Sequence, residues 1–143
     1  MEPASKPRVL IVDDSRVSTK TIDDALSSDI YRKRSATNGQ EGLDVYRTWN
    51  PDIIFLDIMM PIVSGFAVLK EIREREKTEP NAKKTAVIMI TALADKGSIT
   101  DCLKLGIQGY LVKPFPLEEV ARRAEDALRK MSGDPGRNEK PAS

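Results

Sequence analysis

Residues 53–61 read Ile-Ile-Phe-Leu-Asp-Ile-Met-Met-Pro. The run Ile53–Leu56 has no polar face, so a strand built from it must be covered on both sides. That is the pattern of a parallel sheet sandwiched between helices. A carboxylate, Asp57, follows at once, where such a strand ends. Three other runs have the same form: Val9–Val12, Ala86–Ile90 and Tyr110–Val112. Tyr31–Ala36 predicts a fifth strand, and its charged residues Arg32, Lys33 and Arg34 place it at a sheet edge.

The segments between the runs carry helical periodicity. Ser15–Ser27, Gly39–Trp49, Ser64–Lys77, Ser98–Leu105 and Leu117–Met131 are the expected helices. The last has apolar residues at 117, 120, 121, 124, 128 and 131, a one-sided stripe. Glu71 and Arg75 are spaced to pair on the wet side of the third helix. Gly106 has the place of a residue that ends the fourth. Strict alternation of strand and helix gives an α/β fold, a doubly wound five-stranded parallel sheet flanked by five helices. Residues 7–131 form the expected domain. Residues 1–6 are an extension, and 132–143, rich in Gly and Pro without large apolar residues, read as a flexible tail.

Composition narrows the chemistry. The 143 residues carry 23 Lys+Arg and 22 Asp+Glu, a formal net charge of +1, with one Cys and no His. The missing histidine excludes Ser-His-Asp and Cys-His catalysis, His-containing zinc sites and a phosphohistidine of the chain's own. Balanced charge gives no reason to expect direct nucleic acid binding or an anionic membrane as partner. The longest apolar run, Ala86–Ile90, is far too short to span a bilayer. No signal-type stretch lies in Met1–Arg8, so the expected location is cytoplasmic.

In an open parallel sheet, ligands sit outside the carboxyl ends of the strands. Those ends carry Asp13 and Asp14, then Asp57, Thr91 and Lys113. Three carboxylates in one crevice repel each other unless a divalent cation or Lys113 offsets the charge. Mg2+ suits such a set, since it takes carboxylate oxygens, carbonyls, waters and phosphate oxygens. A carboxylate beside the cation is a nucleophile towards phosphorus, with Thr91 and Lys113 neutralising phosphoryl charge. A flavin carrier of similar topology needs a neutral phosphate-cradling loop where Asp13 and Asp14 stand. A hydrolase needs a substrate pocket, and no insertion large enough to form one is present.

The set Asp13-Asp14, Asp57 with Met60-Pro61 and Gly65, Thr91-Ala92 and Lys113-Pro114-Phe115 resembles the receiver domain of two-component response regulators, stand-alone and chemotaxis-regulator-like. Residues 36–43, Ala-Thr-Asn-Gly-Gln-Glu-Gly-Leu, are similar to the family at the second strand–helix junction. Five such motifs in order are far more specific than any one. The resemblance implies a flavodoxin-like strand order, 2-1-3-4-5. It implies that Asp57 is the phosphoacceptor, that Asp13, Asp14, Asp57 and the Met59 carbonyl hold Mg2+, and that Lys113 pairs with phosphate before a cis bond to Pro114. Thr91 is implied as the switch hydroxyl and Tyr110 as the aromatic that turns inward behind it.

The implied partners are a sensor histidine kinase or histidine phosphotransfer protein and a downstream protein effector. The effector would read the face of the fourth helix, fifth strand and fifth helix, through residues such as Asp101, Lys104, Gln108, Arg122 and Arg123. The expected protein is a monomer or weak dimer, catalysing only its own phosphorylation and dephosphorylation. The alternatives are a receiver fragment of a longer multidomain regulator and a pseudo-receiver that only binds. Ser64 departs from the Asp common in the family. Met59 and Leu93, both apolar beside the site, are expected to shield the phosphoryl group from water.

Overall fold

The computed structural model describes residues 5–92 and 96–132. Five strands, β1 (Arg8–Val12), β2 (Arg32–Ala36), β3 (Ile53–Asp57), β4 (Ala86–Ala92) and β5 (Gly109–Lys113), alternate with five helices. The helices are α1 (Arg16–Ala25), α2 (Gly39–Trp49), α3 (Gly65–Thr78), α4 (Lys96–Leu105) and α5 (Leu117–Ser132). The sheet is parallel throughout, in the order β2-β1-β3-β4-β5. β2 does lie at an edge, with Arg32 and Arg34 exposed.

Alternate side chains of each strand go to opposite faces, which divides the core in two. Leu10, Val12, Ile54, Leu56, Val87 and Met89 pack with residues of α2, α3 and α4. Val9, Ile11, Ile53, Phe55, Ile88 and Ile90 pack with residues of α1 and α5. The unbroken apolar runs are thus the signature of a sheet buried on both faces.

Helix starts follow from side-chain caps. Ser15 Oγ accepts from Ser18 N–H, Asn38 Oδ1 from Glu41 N–H, and Ser64 Oγ from Ala67 N–H. Ser64 therefore does locally what an Asp would do there. At the other end of α4, Gly106 adopts φ +101° and its N–H bonds back to Cys102 and Leu103 carbonyls. No described helix is long and apolar enough to cross a membrane.

Some local expectations change. α1 stops at Ala25, because Leu26 turns extended and bonds to Asp23 O. The third helix runs one residue further than expected, through Thr78, with Ser64 as its cap. Glu71 does not pair with Arg75. It meets Arg47 of α2 at 2.8 Å, while Arg75 lies over the Tyr46 ring and bonds Glu79. α5 runs to Ser132, and the remainder of the expected tail lies outside the described residues.

Candidate functional site

β1 and β3 are neighbours, but the chain leaves them towards opposite faces of the sheet. Their carboxyl ends therefore flank an open crevice. Asp13 follows β1, Asp57 ends β3 and Lys113 ends β5. Asp13 and Asp57 are buried and Asp14 is exposed. Carboxylate oxygens of the three lie within 4.8 Å of one another. Lys113 Nζ is 3.3 Å from Asp57 Oδ2 and 3.4 Å from Asp13 Oδ2. The Lys113–Pro114 peptide is cis.

Backbone N–H groups fix the two buried acids. Ser15 N–H donates to Asp13 Oδ1 at 2.8 Å, and Met59 N–H donates to Asp57 Oδ1 at 3.3 Å. Asp13 Oδ2 is buried with no hydrogen-bond donor among the described residues; Lys113 reaches it only as an ion pair. Burial raises the Asp57 pKa to about 7, and the Asp13 carboxylate pushes the same way against the pull of Lys113. Burial alone would lower Lys113, but the charges of Asp13 and Asp57 outweigh it and hold its pKa above the ordinary value.

An oxygen-only cluster of three carboxylates, one buried oxygen lacking a donor and an Asp57 pKa raised by burial all suit a small hard cation. Mg2+ fits the donors present. Thr91 is buried on β4, and its Oγ1 donates to Ala92 O at 3.1 Å. The strand register sets Ala92 opposite Lys113 and Ile90 opposite Asp57, so Thr91 stands at the same edge. Tyr110 is 40% exposed and so points outward on β5. Met59 is 64% exposed, and Leu93 lies outside the described residues.

Two glycines quoted for their motif have a steric role. A Cβ on Gly65 would sit 2.0 Å from Asp57 O, so α3 can start only against the bare backbone of the acid's own residue. A Cβ on Gly39 would sit 2.4 Å from Val63 O. Gln108 is not a free reader of the α4–β5–α5 face. Its Oε1 accepts from Arg73 and from Val87 N–H, and its carbonyl accepts from Lys130. Asp101, Lys104 and Arg122 are exposed. Arg122 and Arg123 both pair with Glu119.

Two grooves border the helices. One of 520 Å³ runs from Asp13 and Asp14 between α1 and β2, past Arg16, Lys20 and Arg34. The other, 830 Å³, lies along α3 far from the acids and is lined by paired charges such as Arg47–Glu71 and Arg75–Glu79. Only the first adjoins groups with chemistry to perform.

A parallel 2-1-3-4-5 sheet with acids at its β1 and β3 ends and a Lys at its β5 end defines a class, the receiver domains. The profile of the response regulator receiver domain matches residues 9–125, and the chain belongs to that family. The chemotaxis protein CheY of Thermotoga maritima is 35% identical over 126 residues, covering 87% of this chain and 97% of that protein. A probable transcriptional regulator ycf27 of Porphyridium aerugineum is 33% identical over 138 residues, 96% of this chain but 55% of that protein. The chain thus spans about half the length of the ycf27 relatives it matches. Among solved structures, the chemotaxis response regulator CheY4 of Vibrio cholerae superposes with a TM-score of 0.75 at 27% identity, covering 87% of this chain and all of that one. Receiver domains of this family bind Mg2+ at an acidic cluster and interact with histidine kinases and effector domains.

Proposed function

We propose that this chain is the phosphoacceptor switch of a two-component phosphorelay, with Asp57 as the acceptor. The observation that carries it is the contact of Lys113 with both Asp13 and Asp57 beside Asp14. Among the described residues, Asp13, Asp14 and Asp57 are the one group of three acids close enough to share a metal ion.

Asp57 Oδ attacks phosphorus of a partner's phosphohistidine. The P–O bond forms as the P–N bond breaks, and the imidazole nitrogen keeps the electron pair. Lys113, already 3.3 Å from Asp57, pairs with a phosphoryl oxygen, and the Thr91 hydroxyl turns from Ala92 O to donate to another. Asp13, Asp14, Asp57 and the Met59 carbonyl are the groups that would hold Mg2+, which supplies positive charge to the developing phosphoryl anion. Thr91's movement leaves space for Tyr110 to turn inward, changing the α4–β5–α5 face read by a protein effector. The chain catalyses only its own phosphorylation and dephosphorylation.

Incubation with acetyl phosphate and Mg2+ tests this by intact mass. The expected gain is about 80 Da, one phosphoryl group, absent in Asp57→Asn. No gain at any Mg2+ concentration leaves only the pseudo-receiver reading. A second reading, the receiver unit of a longer regulator, is favoured by the ycf27 relatives, about half of whose length the chain spans.

A further inference from the structure

Among the described residues, three buried polar side-chain atoms have no hydrogen bond: Asp13 Oδ2, Arg123 Nε and Tyr46 Oη. The first belongs to the acidic crevice, and the guanidinium of the second is held through another nitrogen by Glu119. Tyr46 Oη has no such account. The residue is 3% exposed, and a buried hydroxyl without a partner costs free energy that a Phe would not. Burial holds its pKa above the ordinary value against the pull of Arg75, so at neutral pH the group is an O–H donor.

Tyr46 lines the 830 Å³ groove along α3, where the last turns of α2, α3 and α4 meet through Tyr46, Arg75 and Leu105. Helices that connect parallel strands return to the amino edge of the sheet, so this place is remote from Asp57. It performs no reaction, and its side chains suit it to holding a ligand. Five basic and three acidic side chains line it. Lys70 and Lys77 meet no acid among the described residues, which leaves positive charge in surplus. Arg75 lies 5.2 Å from the centroid of the Tyr46 ring, and Arg47 follows Tyr46 in α2. A guanidinium offers five donors. Glu79 takes Arg75 Nε at 3.1 Å, and Glu71 takes one nitrogen of Arg47 at 2.8 Å. Both acids are exposed, so these pairs are weak and readily exchanged for a ligand.

We propose that this groove binds a phosphorylated small molecule, whose phosphoryl oxygens take the Tyr46 hydroxyl and the guanidiniums of Arg47 and Arg75. Donors arriving from two helices suit a group with three acceptor oxygens set tetrahedrally better than a flat carboxylate. The volume lies in the range of small-molecule sites and exceeds what an inorganic ion fills, so the ligand carries an organic part.

Calorimetric titration of the full chain in EDTA reads this site, since no metal then bridges an anion to the acids. ADP and glucose 6-phosphate are the probes, and citrate is the carboxylate control. At least one ester should bind with Kd below about 1 mM, about tenfold or more tighter than citrate. Tyr46→Phe should raise that Kd about tenfold, as should Arg75→Gln. Lys20→Gln, in the groove beside Asp13 and Asp14, should leave it unchanged. Without ligand, Tyr46→Phe should melt at or above the wild-type temperature, because no hydrogen bond is lost. Binding by neither ester, citrate bound as tightly as the esters, or a Kd that Tyr46→Phe leaves unchanged overturns the proposal. So does a Kd that rises with Lys20→Gln, which moves the binding to the other groove. A ligand-free Tyr46→Phe protein that melts lower than wild type also overturns it, because the hydroxyl then already has a resident partner such as water.

Discussion

Asp57 sits in a crevice that resists its own ionisation. Its pKa is raised to about 7, first by burial and then by the charge of Asp13, so the fold favours the protonated acid. An unfolded Asp titrates near ~3.9. The stability this residue contributes is therefore complete below that value and is lost as pH rises towards 7. Asp57→Asn keeps the shape without the charge. In metal-free buffer, wild type and Asp57→Asn should be similarly stable at pH 4. The Asn variant should then gain an advantage on the order of 2–4 kcal/mol by pH 8. Chemical denaturation of both proteins across that range checks it. A difference that stays flat with pH means that the crevice does not oppose the charge. Groups remote from Asp57 titrate alike in both proteins, which is why the difference is the informative quantity.

Between the elements, one side chain ties distant parts together. Arg73 of α3 bonds both oxygens of Glu76, the carbonyls of Thr85 and Gly106, and Gln108 Oε1. It thereby joins α3 to the start of β4 and to the α4–β5 turn. The Arg73 and Glu76 side chains are 13% and 11% exposed, and Glu76 also accepts from Thr85 N–H. Arg73→Met should cost about 3 kcal/mol by leaving a nearly buried carboxylate and two carbonyls short of a donor. Arg47→Met, which removes only the exposed pair with Glu71, should cost less than about 1 kcal/mol. Equal losses in urea denaturation would contradict this account of the clamp. Apart from the i,i+3 spacing of Arg73 and Glu76, the clamp was not legible in the sequence, because Arg73's partners at Thr85, Gly106 and Gln108 lie outside its helix. The i,i+4 spacing of Glu71 and Arg75 misled for the same reason: Arg47 and Tyr46 approach from α2 and win each side chain. The strands were legible because apolar residues on both faces need no knowledge of partners. Asp13, Asp57, Thr91 and Lys113 were legible because each stands at the end of such a run. Gly65 could be quoted as a motif, but its reason, a 2.0 Å approach to Asp57 O, exists only in three dimensions.

Across the whole molecule, a net charge of +1 conceals segregation. Carboxylates gather at the carboxyl edge of β1 and β3, while β2 at the sheet edge carries Arg32, Lys33 and Arg34. Among the described residues, Lys113 alone pairs with Asp13 and Asp57, one cation for two buried acids, with Asp14 close by. The charge left over at that edge is what a divalent cation can neutralise. A ligand that binds only the folded chain stabilises it by mass action. At Mg2+ about ten times its Kd, that is about 1.4 kcal/mol, or about 5 °C in Tm for a domain of this size. Titrating MgCl2 at pH 7.5 should raise Tm with saturation, whereas NaCl at matched ionic strength should not. Screening acts on all exposed charges and does not saturate at a single site. Asp13→Asn should lose most of the Mg2+ response, because it removes charge from the buried oxygen that lacks a hydrogen-bond donor. A Tm that rises alike in MgCl2 and NaCl, or an Asp13→Asn variant that responds as wild type does, assigns the effect to general screening and removes the cation from the site.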